Sequence, residues 1–231
     1  MSSKKTKKRI PLSRERILQA AMNYANQQGI ESLSMRKLAE QLKVEAMSLY
    51  NHVAHKEDLL NGMVEAVVSE IDVPDMSLQW QDALRQRAHS AHQVLLRYPW
   101  AALLIVSRLN VGPAMLRYVD ATIGCLVQAG FSYPLADHAW NAIDSHIYGF
   151  TLQELNFPLE PEQYADAASE FLPQLPAGEY PYLTGMSQQV ISGQHNGLHD
   201  FEFGLEILLA GLESLRIKAA QGDADHEKNV S

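Results

Sequence analysis

The chain has 231 residues, of which 46% are apolar and 20% are charged, and its formal net charge is −8. These values are typical of a globular protein and argue against a disordered or fibrous chain. No apolar run approaches the roughly 20 residues of a membrane helix, and the N-terminus lacks the apolar core of a signal peptide, so we expect a cytoplasmic location. The single cysteine, Cys125, excludes an intrachain disulfide.

Charge is distributed unevenly along the chain. Residues 1–60 contain eleven Lys and Arg against six Asp and Glu, a net charge of +5, which leaves −13 on residues 61–231. A basic end can neutralise DNA phosphates while the acidic remainder keeps the protein soluble. Residues 1–10 are predicted to form a flexible basic arm that adds phosphate or minor-groove contacts; a merely solvated tail is the alternative.

Residues 34–53 read as two short amphipathic helices that meet at a polar break. Ser34 is suited to cap the first helix, which extends to Leu42, and the second begins at Glu45 after the break at Lys43. Each helix has apolar residues on one face, with Leu49 and Val53 expected to be buried in the second, and basic or hydroxyl side chains on the other. This pattern predicts a helix-turn-helix, whose second helix fits the DNA major groove.

Two further helices are predicted around this pair. One is capped by Ser13 and extends to about Gln28 before the pair, and one begins after Lys56 and ends near Glu70. Together they define a DNA-binding domain at 11–72. The helix-terminating Pro74 lies just after it and marks the boundary with the next domain.

The residues from Ile17 to Leu60, including the run VEAMSLYNHV, resemble the DNA-binding domain of the tetracycline repressor (TetR) family of bacterial regulators. Residues 129–149 and the terminal run FEFGLEILLAGLESL resemble the regulatory domain of the family's founding member. The resemblance implies an all-α fold, in which an N-terminal three-helix helix-turn-helix domain precedes a larger α-helical ligand-binding and dimerisation domain at 75–231. The family usually has glycine in the turn, so Lys43 predicts modest strain or an altered turn there.

Matching to the family assigns individual DNA contacts. Arg36 and Ser48 match base-edge and phosphate positions, and Tyr50, His52 and Lys56 match positions that hold the phosphate backbone. Tyr50 and His52 could instead be packing residues. The complete candidate set is Ser34, Arg36, Glu45, Ala46, Met47, Ser48, Tyr50, Asn51, His52 and Lys56.

Within this set, Ala46 and Met47 offer apolar surface to thymine methyl groups, and Glu45 can accept a hydrogen bond from cytosine. The role of Asn51 is left open. Arg36→Ala is predicted to relax the base preference at one position, whereas Lys56→Ala is predicted to weaken all sequences alike.

The remainder of the chain also reads as helical, with no strand-like alternation. The segment 172–197 is rich in Pro, Gly, Gln and Ser and is predicted to be a long mobile loop. Helical segments are predicted near 80–97, 100–106, 113–129, 134–155, 161–171 and 200–219.

The resemblance implies a homodimer, in which helices 134–155 and 200–219 of each subunit form a four-helix interface. One reading helix contacts only a few base pairs, so two heads about 34–36 Å apart on a palindromic operator are expected.

A regulator that responds to a small molecule needs a pocket, and the regulatory half offers aromatic and polar side chains for one. Aromatic residues at helical spacing are more often part of a core, which is the alternative for each. Gln153 stands where the founding member has a metal-completing glutamate, and Arg108 stands near its metal-binding histidine. No metal or cofactor is therefore expected, and the inducer is an unknown small molecule. The candidate lining is Trp100, Tyr118, Trp140, Asn141, Asp144, His146, Tyr148, Phe150 and Gln153.

The alternative class of function is a metal-dependent hydrolase. His89 and His92 are three residues apart, and His195 and His199 are four apart, which are spacings that zinc can use. Neither pair is followed by a catalytic glutamate, and no nucleophile elbow, phosphate loop or dinucleotide fingerprint is present. The preferred interpretation is a ligand-responsive, DNA-binding repressor.

Overall fold

The computed structural model describes residues 11–160, 163–196 and 200–230, with side chains up to residue 221. All regular elements in these ranges are helical, as predicted. The chain divides into two compact units, with the boundary after Asp144. The predicted basic arm at 1–10 and His199 lie outside the described residues. Within the described part of the chain, no helix is both long and apolar enough to cross a membrane.

The first four helices form the N-terminal head. Two of them begin at predicted serine caps: the hydroxyl oxygen of Ser13 accepts from the Arg16 amide at 3.3 Å, and that of Ser34 accepts from the Lys37 amide at 3.3 Å. These bonds satisfy amides of the first helical turn that have no partner within the helix. The helices are α1 (Arg14–Gln28), α2 (Met35–Leu42), α3 (Ala46–Leu49) and α4 (Lys56–Val68).

The core of the head forms where the apolar faces of these helices meet. Helices α1 and α4 approach closely at Gly62, because a Cβ atom there would lie 2.8 Å from the Leu18 Cδ2 atom. The short α3 is fixed by the full burial of Leu49, and Val53, just after it, is 1% exposed. The other fully buried apolar side chains of the head are Ile17, Ala21, Leu38, Leu59, Met63 and Val67.

Four further helices follow the head. Pro113 occupies the first turn of its helix, where the missing N–H has no partner to lose. Trp80 and Phe131 pack edge to face, with ring centroids 5.0 Å apart. The helices are α5 (Trp80–Arg97), α6 (Ala101–Val106), α7 (Pro113–Gln128) and α8 (Tyr133–Asn156).

The structure corrects the prediction of a long loop at 172–197. That segment contains a 3₁₀ turn at Leu172–Gln174 and an eleven-residue helix, α10 (Pro181–Ile191). The loop was predicted from the Pro, Gly, Gln and Ser content of the segment, but Pro181 stands at the start of a helix, where proline is favoured. Helix α9 spans Tyr164–Phe171, and α11 spans Phe201–Val230, so α11 extends beyond its predicted end at residue 219.

Candidate DNA-binding surface and effector site

The turn of the helix-turn-helix adopts a left-handed conformation at Lys43. Its φ and ψ are 57° and 47°, and it is the one non-glycine residue with positive φ in the described ranges. The Val44 amide bonds to the Ala39 carbonyl at 3.1 Å, and the Lys43 amide bonds to the Glu40 carbonyl at 3.2 Å, which completes a Schellman cap. A lysine therefore occupies a position that usually favours glycine, and the predicted strain is located in its backbone.

The surface of α3 that faces away from the core carries the predicted base-reading residues. Met47 is 74% exposed and Tyr50 is 43% exposed, whereas Leu49 between them is fully buried. Glu45 and Asn51 are exposed, and Ala46, Ser48 and His52 are half-buried. The helix therefore presents a surface of small, hydroxyl and apolar side chains, as entry into a major groove requires.

Helix α2 contributes the predicted Arg36 beside this surface. Its side chain is 85% exposed, and its guanidinium lies 3.4 Å from the Glu40 carboxylate, one helical turn away. An exposed pair of this kind contributes little stability, so Arg36 can exchange Glu40 for a base or phosphate at small cost. Ser34 uses its oxygen as the cap of α2, which leaves its hydroxyl hydrogen available to a phosphate oxygen.

An ion pair between α1 and α4 holds the segment that connects α3 to α4. Arg14 donates to Asp58 through Nη2–Oδ1 at 2.7 Å and Nη1–Oδ2 at 3.0 Å, and to the His52 carbonyl at 3.1 Å. Asp58 also accepts from the Ala54 amide at 2.8 Å. The Arg14 guanidinium, and then the Ala54 amide, lower the pKa of Asp58 to about 2. This network fixes the segment between α3 and α4, where His52 and the exposed Lys56 lie.

The turn between α5 and α6 contacts both α1 and α4. Trp100 donates its indole N–H to the Asn26 side chain of α1 at 2.6 Å, and Asn26 donates to the Arg97 carbonyl at 3.1 Å. Tyr98 donates its hydroxyl to Glu70, just beyond α4, at 2.8 Å. Trp100 is 6% exposed, so this predicted ligand residue is buried where the turn between α5 and α6 packs against the head.

The segment between α6 and α7 and the first turn of α7 contact one face of α4. Arg108 pairs with Glu57 and lies 3.4 Å from the Asn61 side chain, while Glu65 accepts from the Ala114 amide in the first turn of α7. Glu57, Asn61 and Glu65 recur every four residues, so they line one face of α4. The Arg108 guanidinium lowers the pKa of Glu57. Both ends of α6 are thus attached to the head.

Three of the predicted ligand residues meet in one buried cluster. The Asp144 carboxylate, whose residue is 5% exposed, accepts from the Tyr118 hydroxyl at 3.1 Å and from the Trp140 indole at 2.8 Å. The third donor is the Arg87 Nη2 atom at 2.6 Å. The Arg87 guanidinium carbon lies 4.1 Å from the centre of the Tyr118 ring.

Arg87 was not among the predicted site residues, although it is fully buried. A signal existed: the buried face of α5 repeats every three or four residues, and position 87 falls on it. An arginine in a mainly apolar stripe could have been recognised as a buried charge. The buried positions in this stripe are Trp80, Ala83, Leu84, Arg87, Ala88, Ala91, His92, Val94 and Leu95.

Four other predicted ligand residues lie on the part of α8 that belongs to the second unit. His146 bonds to the Phe201 carbonyl at 2.9 Å and stacks on the Phe201 ring with centroids 4.9 Å apart. Phe150 packs against the same ring at 5.4 Å. Tyr148 is half-buried and Gln153 is exposed.

Asn141 belongs to the first unit, where it is exposed and donates to the Asp137 carbonyl of its own helix at 2.8 Å. Among the described residues, no group of three or more His, Cys, Asp and Glu side chains is placed to hold a metal ion.

The head and the helical region behind it define a helix-turn-helix regulator with an attached sensor domain. Residues 17–63 match the family model for bacterial regulatory proteins, tetR family, and residues 73–216 match that for the tetracyclin repressor-like C-terminal domain. The chain belongs to this family. It is a DNA-binding transcriptional regulator and not an enzyme, which removes the hydrolase alternative.

The similar proteins include regulators and repressors from several bacteria. An HTH-type transcriptional regulator of Saccharopolyspora erythraea is 32% identical over 87% of this chain and 84% of its own length. The class D tetracycline repressor protein of Escherichia coli is 31% identical, over 87% of this chain and 89% of its own. The structure of Streptomyces coelicolor ActR in complex with actinorhodin matches with a TM-score of 0.76 and 28% identity, covering 90% of this chain and 99% of ActR.

Proposed function

We propose that this regulator is a homodimeric repressor, which binds a palindromic operator and leaves it when a small molecule binds its regulatory half. The observation that carries the proposal is the α2–Lys43–α3 unit, whose reading surface is exposed while Leu49 and Val53 hold it to the core. Because bacterial DNA lies in the cytoplasm, the protein would act there. Relatives named as repressors support repression rather than activation.

The DNA contacts follow from the position of each exposed side chain. Arg36 and Ser48 would read base edges, and Met47 with Ala46 would meet thymine methyl groups. Met47 at 74% exposure would lose unfavourable contact with water on entering the groove.

Residues at either end of the reading surface would hold the DNA backbone. Tyr50, His52 and Lys56 lie from the end of α3 to the start of α4, and Ser34 lies at the start of α2. Phosphate contacts at these positions would fix the register of α3 in the groove without contributing base preference.

A second face of α11 supports the homodimer. One face of this helix is buried through Phe201, Leu205, Leu209 and Leu212. The opposite face leaves large apolar side chains in water, since Phe203 is 67% exposed and Ile207 is 57% exposed, and further along the helix Leu215 is 49% exposed. A helix that is apolar on two faces is suited to pack against two partners, one of which would be the second subunit.

Two glycines on the proposed dimer helices support the same arrangement. Apart from the neighbouring residues and the backbone of the same helix, no heavy atom of the described residues lies within 4 Å of a Cβ atom built at Gly149 of α8 or at Gly211 of α11. Gly204, by contrast, is filled by its own chain, because its Cβ would lie 2.4 Å from the His146 ring. The open glycines would allow the backbone of a partner helix to approach closely.

Transmission of the ligand signal would use the contacts of α4. Tyr118 of the buried cluster stands on α7, one helical turn beyond Ala114, whose amide is held by Glu65. A ligand that displaces Tyr118 would therefore pull on α4 and change the spacing of the two reading heads. Such coupling requires the ligand to bind the DNA-free conformation more tightly than the DNA-bound one.

The proposal is tested with the purified full chain in three measurements. Selection from random duplexes should yield a palindrome with half-sites about one helical turn or a multiple apart. Light scattering should give twice the chain mass, and Ile207→Glu should give the single mass, whereas Leu116→Glu, an exposed change on α7, should remain dimeric. A monomeric wild-type protein, or selection without a palindrome, would contradict the proposal.

A further inference from the structure

The reading surface of α3 carries one sulfur atom, the thioether of Met47. This side chain is 74% exposed, which is the largest exposed fraction of any methionine in the described ranges, and it lies between the half-buried Ala46 and Ser48. Both neighbours have short side chains that cannot cover it. A small solute can therefore reach the thioether whenever the protein is free of DNA.

Most other sulfur atoms of the described residues are protected. Cys125 is buried, and this burial raises the pKa of its thiol, so little of it is the thiolate that reacts with oxidants. Met76, between α4 and α5, and Met186, on α10, are 48% and 54% exposed, and both lie outside α2 and α3. The buried methionines are Met22, Met35, Met63 and Met115.

An accessible thioether reacts with hydrogen peroxide to give a sulfoxide. A lone pair of the Met47 Sδ atom attacks one peroxide oxygen, and the S–O bond forms as the O–O bond breaks. The attacked oxygen releases its proton to the departing hydroxide, which leaves as water. The sulfur is oxidised by two electrons and the peroxide is reduced by two. The side chain thereby changes from apolar to polar, with no change in net charge.

A sulfoxide does not suit the contact proposed for Met47 in the major groove. The edge of thymine offers a methyl group and the O4 acceptor, and neither donates a hydrogen bond to the sulfoxide oxygen. This oxygen would lose its water without gaining a donor, which is expected to lower operator affinity about tenfold for one head. A dimer has two heads that are far apart, so oxidation of both is expected to lower it about a hundredfold.

We infer that Met47 is an oxidation site, through which peroxide abolishes the preference of this regulator for its operator. This inference rests on the proposed function, because it adds a second means of release to the same reading surface. DNA in contact with α3 would shield the thioether, so the DNA-free protein would be oxidised first. The oxidised protein would then stay off the operator until the sulfoxide is reduced.

The test uses the purified full chain and the operator obtained by selection. The protein is treated with hydrogen peroxide, sulfoxides are located by peptide mass spectrometry, and binding to operator and random duplexes is titrated. Met47 is expected to be oxidised faster than Met76 and Met186. Operator affinity should fall about tenfold or more, whereas binding to random DNA, which depends on phosphate contacts, should change by less than about threefold.

Two further measurements assign the loss to the reading surface. Operator duplex added before the peroxide should protect Met47 and leave Met76 and Met186 reactive. Treatment of the oxidised protein with the two methionine sulfoxide reductases, one for each sulfoxide epimer, should restore operator affinity. Oxidation of Met47 at the same rate with and without operator would contradict its place in the groove.

Variants separate Met47 from the other methionines. Met47→Leu keeps an apolar side chain without sulfur, so it should bind the operator and retain its affinity after peroxide. Met186→Leu, the matched change at another exposed methionine, should stay as sensitive as the wild type, and Met47→Gln should show the loss without any oxidant. Circular dichroism and light scattering verify that each variant is a folded dimer. Equal losses for Met47→Leu and the wild type after peroxide would overturn the inference.

The outcome is separable from that of the proposed function. Selection of a palindrome by the untreated dimer tests operator recognition and needs no oxidant. A dimer that selects an operator and binds it equally tightly before and after oxidation of Met47 would refute this inference alone. An untreated dimer that selects no operator would refute both.

Discussion

Arg14 and Asp58 join the start of α1 to the start of α4 through two parallel hydrogen bonds of 2.7 and 3.0 Å. The same guanidinium reaches the His52 carbonyl at the end of the reading segment. One side chain of the first helix therefore positions the residues proposed to hold DNA phosphates, and removal of the pair would affect both folding and binding.

Asp58→Asn should lower the free energy of unfolding by about 1–2 kcal/mol at pH 7, after allowance for solvent screening of a partly exposed pair. The pKa of Asp58 is lowered to about 2, so its contribution is complete above about pH 4 and is lost as the pH falls towards 2. Urea unfolding of both proteins between pH 7 and pH 3 measures the difference. Asp120→Asn, an exposed carboxylate on α7, is the control. A difference that does not shrink below pH 4 would contradict the assigned role.

Lys43→Gly should stabilise the protein, because glycine adopts the left-handed turn without the strain of roughly 1–2 kcal/mol that a side chain brings. The greater freedom of glycine in the unfolded chain offsets part of this, so a net gain of about 0.5–1 kcal/mol is expected. Lys43→Ala removes the charge but keeps Cβ, and it should show no comparable gain. Denaturant midpoints of the three proteins decide, and a destabilised glycine variant would show that Lys43 contributes something other than strain.

Arg36→Ala should weaken binding to the selected operator by about 1–3 kcal/mol and flatten the preference at one base position. Lys56→Ala should weaken operator and random DNA alike and reduce the slope of binding against salt. Glu40→Gln releases Arg36 from its partner and should bind at least as tightly as the wild type. Titrations on operator and random duplexes at several salt concentrations measure all three. Equal losses on both duplexes for Arg36→Ala would exclude base reading.

Gly112→Ala should destabilise the protein by about 0.5–2 kcal/mol, because its Cβ would lie 2.0 Å from the Glu65 Oε2 atom and would displace this carboxylate from the first turn of α7. In a Glu65→Ala background the same change should cost almost nothing, since the displaced group is absent. Gly124→Ala on the same helix meets no atom within 4 Å and should stabilise it slightly. Thermal unfolding of the double-mutant cycle tests this, and additive losses would count against the contact.

Periodicity and capping residues were sufficient to predict the head. Ser13 and Ser34 cap their helices as expected, and the apolar spacing identified Leu49 and Val53 as core residues. These signals are local, because caps and helical faces depend on residues within a few positions of one another. The helix at Pro181–Ile191 was missed for a local reason too, since proline both ends and begins helices.

The polar contacts between residues far apart in the chain had no local signal. Arg108 and Glu57 are 51 residues apart, Ala114 and Glu65 are 49 apart, and Arg87 and Asp144 are 57 apart. Each of these polar residues, taken alone, is indistinguishable from a solvated one in a single sequence. Only the packing of α4 and α5 against their neighbours shows which of these residues form hydrogen bonds or ion pairs.

The attachment of α6 at both ends has a consequence for engineering. A chimera that takes residues 11–72 from another regulator would have to preserve Asn26, Glu57 and Glu65, or exchange Trp100, Arg108 and Gly112 along with them. The DNA-binding head can therefore be exchanged only together with the residues that it contacts in the regulatory domain. Retargeting to a new operator is better achieved by changing the exposed side chains of α2 and α3, which lie outside these contacts.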